Sequence, residues 1–133
     1  MTYVYRDNDA AKKALGEWAK RLRLQDWVIT IEIVRARDMP LDDKSGCVKW
    51  FVHDKSAHIT LLDPIDYPPN PYEEQDQEIT LVHELLHLHF QHFENTEPGT
   101  LQDTMLEQTI NILSALLVDQ HRALESAIQD VDV

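Results

Sequence analysis

The residues best suited to chemistry lie at positions 79–93, Ile-Thr-Leu-Val-His-Glu-Leu-Leu-His-Leu-His-Phe-Gln-His-Phe, where His83-Glu84-Leu85-Leu86-His87 sits inside an apolar run. On an α-helix, residues four apart stand one turn above each other with Cβ atoms roughly 6 Å apart, so both imidazoles can reach one ion. Zinc suits two nitrogen donors placed in this way. Glu84 is turned about 100° round the helix from His83, which sets its carboxylate beside such an ion and not on it. A water polarised by the metal would then lie within reach of Glu84 as general base. Ile79, Val82, Leu86, Phe90 and Phe93 recur at three- and four-residue spacing next to the histidines, so the pair is expected half-buried beside a core.

Catalytic zinc generally takes three protein ligands and leaves its fourth position to water, so a third donor is required. On the helical wheel His89 and His92 lie about 120° and 180° from His83, away from the ligand face. A metzincin motif would need Gly and His where this chain has Phe90 and Phe93. Glu94 is near the right face but would have to reach back past His87. Asp103 and His121 are further candidates, and His121 stands about 20 Å along its helix from position 107. Glu107 fits best, because an acid in the first third of an apolar helix is costly to bury unless a cation neutralises it.

These side chains need a scaffold, and the rest of the chain supplies its parts. Residues 8–24 read as a helix capped by Asp7, Asn8 or Asp9, with Leu15, Trp18, Ala19 and Leu22 on one stripe. Residues 27–35 alternate in the manner of a strand, and two more strands are expected at 47–53 and 57–62. The loop 38–46 contains three aspartates, but it lacks the acidic ladder and terminal Glu of an EF-hand and reads as a solvated turn. Four prolines between positions 63 and 71 end the ladder and lead into the metal helix, whose first turns Glu73, Glu74, Asp76 and Glu78 are expected to load with negative charge. A last helix is expected from Thr100 to about Ala127. Met105, Leu106, Ile110, Leu113, Leu116 and Leu117 make it nearly apolar all round and hence largely buried. Because residues 57–62 form the last strand before the connector, they are expected at a free sheet edge beside the metal helix. The short acidic tail, residues 130–133, could fold over the cleft.

Composition narrows the partners. At 133 residues, positions 1–133 read as one domain with one core. The formal charge of −12 disfavours nucleic acid, and no apolar run is long enough for a membrane span. With the single Cys47 and no secretory leader in the first residues, the expected compartment is the cytoplasm.

His83-Glu84-x-x-His87, followed by Glu107 and then by Asn111 four residues later, resembles the gluzincin zinc metallopeptidases, whose pattern is His-Glu-x-x-His and then Glu-x-x-x-Asp. The order of helix, three strands, metal helix and Glu helix, with Leu24-Gln25-Asp26-Trp27 leading into the first strand, is similar to minigluzincins and to small phage- and prophage-encoded metallopeptidases. The resemblance implies an α+β, zincin-like fold that hydrolyses peptide bonds in a peptide or protein substrate. It implies zinc on His83, His87 and Glu107, with Glu84 as general base. It also implies a strand that pairs with substrate, here through Ala57, His58, Ile59, Thr60 and Leu61. Asn111 stands where the family has Asp; its amide oxygen can still accept an N–H bond from a ligand ring, by position that of His83, but without charge. Tyr72 and His92 are the candidates for an oxyanion-stabilising group. The alternative reading is a zinc-binding regulatory or peptide-interaction protein of the same fold without proteolysis; the presence of Glu84 weighs against it, since a structural site needs no base.

Overall fold

The computed structural model describes residues 3–69, 73–94 and 97–131. Asp7 begins the first helix, α1 (Asn8–Arg21), by accepting the Ala10 N–H at 2.9 Å, and the helix buries Ala11, Leu15 and Trp18 at the expected spacing. Three strands follow, β1 (Val28–Val34), β2 (Gly46–Phe51) and β3 (Ser56–Leu62), and then two helices, α2 (Gln77–Phe90) and α3 (Leu101–Val131). The architecture is therefore α+β, with three helices and a small mixed sheet, in the expected order of elements. No helix among the described residues is long and apolar enough to cross a membrane.

The sheet order is β1-β3-β2, with β3 parallel to β1 and antiparallel to β2. This corrects the expectation of a free edge at residues 57–62, because hydrogen bonds to both neighbours occupy the backbone of β3. The physical reason lies in burial. Ala57, Ile59 and Leu61 face the helices in the core, and Thr60 and Leu62 are covered as well, so this strand is nearly apolar on both faces and belongs in the middle. His58 points away from the helices to Thr30 Oγ1 at 2.7 Å and Glu32 at 3.2 Å. None of Ala57, His58, Ile59, Thr60 or Leu61 lines the metal-side cavity, and the free edge beside α2 belongs to β2.

Three further expectations change. Asp76 is the N-cap of α2, its carboxylate accepting the Ile79 N–H at 3.0 Å, so Glu73 and Glu74 precede the helix and only Glu78 acidifies its first turn. Leu101, Met105, Ile112 and Leu116 of α3 are exposed, because α3 lies against α2 on one side and no described residue covers the other. The helix also continues to Val131, which carries Asp130 about 35 Å along the axis from Glu107 and removes it as a cover for the cleft. Residues 132 and 133 lie outside the described residues.

Two contacts set α2 in place. Arg122 of α3 grips Asp76 through both terminal nitrogens at 2.9 and 3.0 Å and Glu78 at 2.9 Å, while its guanidinium covers the Tyr3 ring at 3.3 Å. Trp18 of α1 donates to the other Glu78 oxygen at 2.9 Å. On the sheet side, α2 presses so closely on β2 that a Cβ at Gly46 would stand 2.4 Å from Thr80 Cγ2 and 3.4 Å from Glu84 Cγ. Thr80 cannot simply turn away, because its hydroxyl is bonded to the Asp76 carbonyl at 3.0 Å. Gly46→Ala is therefore expected to cost about 1–3 kcal/mol by overpacking. Combining it with Thr80→Ser, which removes the clashing methyl, should restore most of the loss in thermal or urea unfolding.

Candidate metal centre

α2 places His83 and His87 on one face, one turn apart, beneath β2. The antiparallel run of α3 along α2 brings Glu107 across from them. The two imidazole Nε2 atoms are 3.2 Å apart. One Glu107 oxygen lies 3.3 Å from His83 Nε2 and the other 3.2 Å from His87 Nε2. Donors at about 2.0–2.2 Å round a tetrahedral zinc are separated from each other by roughly 3.3–3.6 Å. Each imidazole nitrogen thus has the other nitrogen and one Glu107 oxygen at 3.2–3.3 Å, close to that separation, so the cluster is compact enough to surround an ion of that size. Glu84 belongs to the same group, with its carboxylate 3.9 Å from His83 Nε2 and its second oxygen buried without a hydrogen-bond partner. His83, Glu84 and His87 can hold a metal ion.

The charges point the same way. Burial pushes the Glu84 carboxyl above its ordinary range, and the nearby histidines offset only part of that shift. Hydrogen bonds from His83 and His87 hold Glu107 far below the usual carboxylate range despite its burial. Burial alone would lower His87, but Glu107 and Glu94 outweigh it and push the imidazole up to about 10. Lys44 is the one Lys or Arg among the residues lining this cavity, whose volume is about 500 Å³. Three carboxylates converge there on two imidazoles, an arrangement that a divalent cation would neutralise.

A residue weighed as a ligand has a different place. After α2 ends, the tight turn Gln91–Phe93 curls Glu94 back beneath the helix, where its Oε1 lies 2.5 Å from His87 Nδ1. His87, Glu94 and Glu107 are also close enough together to hold an ion, but the two carboxylates approach opposite nitrogens of the His87 ring, which cannot serve one ion through both. Glu94 instead fixes the ring so that Nε2 faces His83 and Glu107, the usual task of a carboxylate behind a ligand histidine. The signal was the spacing: Glu94 is two helical turns beyond His87. Asn111 lines the cavity, but among the described residues no hydrogen bond joins its side chain to either histidine. Trp50 of β2, which sequence reasoning missed, packs its ring nearly parallel to His87, with centroids 6.4 Å apart.

The other histidines weighed for the site lie elsewhere. His89 meets the Leu22 carbonyl at 2.6 Å at the end of α1, and His92 is exposed beside Gln91. His121 packs edge-on to Trp18 and pairs with Glu125 at 3.1 Å. Tyr72 lies outside the described residues. Cys47 lines the cavity, and burial followed by the charge of Glu84 raises its thiol, keeping it neutral.

Comparison of the chain with protein-family models, with curated proteins and with solved structures returned no match. The functional reading accordingly rests on the site itself.

Glu107→Ala is expected to lose stoichiometric metal in elemental analysis, whereas His89→Ala and His92→Ala should retain it. Glu94→Gln should weaken metal affinity about 10–100-fold in a chelator competition, and Asn111→Leu much less.

Proposed function

We propose that this protein is a zinc-dependent peptidase of gluzincin type, with a zincin-like fold, in which His83, His87 and Glu107 hold the ion and Glu84 is the general base. The observation that carries this reading is the cluster of His83 Nε2, His87 Nε2 and the two Glu107 oxygens, with neighbouring atoms 3.2–3.3 Å apart, beside a buried carboxylate that has an oxygen without a partner among the described residues. Zinc, when bound, would polarise a scissile carbonyl and acidify a water. The chain's own residues do the remainder. Glu84, raised by burial, is suited to accept a proton from the attacking water and to release it to the leaving amine. Glu94 holds the His87 ring in one tautomer, and Trp50 walls one side of the cavity.

The substrate strand moves from β3 to β2. The outward backbone groups of β2 lie beside the cavity, with Gly46, Cys47, Val48 and Trp50 lining it, so an extended peptide can add to this edge and cross the ligand triangle. The close seating of α2 on Gly46 keeps that edge and Glu84 within one cleft.

The test is cleavage of a peptide library by the zinc-loaded protein, with Glu84→Gln as control. Wild type should cut internal peptide bonds, and Glu84→Gln should bind zinc equally but lose activity by about 10²–10⁴-fold. Stoichiometric zinc without cleavage by wild type would instead assign the site to the non-proteolytic binding role.

A further inference from the structure

The uncovered side of α3 carries a pattern independent of the metal. Leu101, Met105, Ile112 and Leu116 are 75%, 57%, 67% and 48% exposed. Taking about 100° per residue, these four share one face, turned away from the buried Ile110, Ser114 and Val118. Between Thr104 and Val118 the one charged residue is Glu107, and it faces the metal cavity. A helix apolar all round belongs in an interior, and this one is half outside.

The spacing identifies what covers it. The intervals Leu101 to Met105, Met105 to Ile112 and Ile112 to Leu116 are four, seven and four residues, a sequence that reads the same in both directions. A second α3 laid antiparallel, with a two-fold axis between Gln108 and Thr109, sets Leu101 against Leu116 and Met105 against Ile112 at every repeat of the stripe. We propose that this face is the interface of a two-fold symmetric dimer, the occupant being a second copy of the chain. Such an isologous contact uses one patch twice.

Charge tells where two copies can meet. A net charge of −12 opposes self-association, and the face of α3 that carries Leu101, Met105, Ile112 and Leu116 bears no charged side chain between them, so contact there meets the least repulsion. At on the order of 100 Å² of apolar surface for each of the four side chains, plus Gln108 and Thr109 at the axis and Ala115 beside it, each copy contributes roughly 500–600 Å². The pair then buries roughly 1,000–1,200 Å², the size of a weak, reversible interface, in keeping with micromolar association. Glu107 and Asn111, which line the metal cavity, stand about 150° and 110° round α3 from the centre of the stripe.

Sedimentation velocity of the full chain between about 1 and 200 µM, at low and at 0.5 M salt, tests this directly. A monomer–dimer equilibrium with a dissociation constant in the micromolar range is expected, tighter at high salt as the net charge is screened. Ile112→Lys and Met105→Glu should each weaken it by at least about tenfold, with unchanged circular dichroism because both sites are exposed. Met105→Lys weakens it likewise, but combined with Ile112→Glu, which it faces across the axis, it should recover affinity relative to either single change. A monomer at 200 µM in both salts overturns the proposal, as does a dimer indifferent to Ile112→Lys. Failure of the paired exchange to recover affinity overturns the antiparallel register.

Discussion

Carboxylates that share a half-buried space must be neutralised or lost, and the middle of this protein is arranged around that constraint. Glu84, Glu94 and Glu107 all approach His83 and His87. Glu94 is satisfied on one side by the His87 ring, and Glu107 by both rings, but among the described residues an oxygen of Glu84 and one of Glu94 have no partner. The surrounding elements hold this group together against its own repulsion. Arg122 and Trp18 secure the start of α2, Gly46 admits the helix to the sheet, and α3 delivers Glu107 from the opposite direction.

Much of the site was legible in the sequence because its signals are local. The spacing of His83 and His87, the neighbouring position of Glu84, and the presence of a lone acid at 107 in an apolar helix are all readable from helical periodicity. Glu94 was legible in position but not in role, since a tight turn after α2 decides which ring nitrogen it meets. The expectation at Asn111 rested on resemblance to a pattern with Asp, and the side chain that bonds a ligand histidine comes from the opposite end of the linker between the two helices.

Sheet order was the less legible part. Chain order suggested that the strand nearest in sequence to the metal helix would also be nearest in space, but the β2–β3 hairpin folds the later strand inward. The run Ile59-Thr60-Leu61-Leu62, with no polar alternation, was the available sign of a strand covered on both faces, whereas Lys49 and Phe51 mark β2 as the wetter neighbour. The same failing affected α3, whose apolar composition implied that it is largely buried although one small sheet and one helix cannot surround it.

On the proposed reading, the two ligand histidines, the acid between them, the residue that steadies one ring, and the third ligand all fall between His83 and Glu107. The strand that borders the cleft is a separate segment, joined to them through β3 and a proline-rich connector. On that reading, reactivity and selectivity are written in different stretches of the chain, so substitutions along β2, Gly46 aside, would change what the cleft accepts and leave the segment from His83 to Glu107 intact.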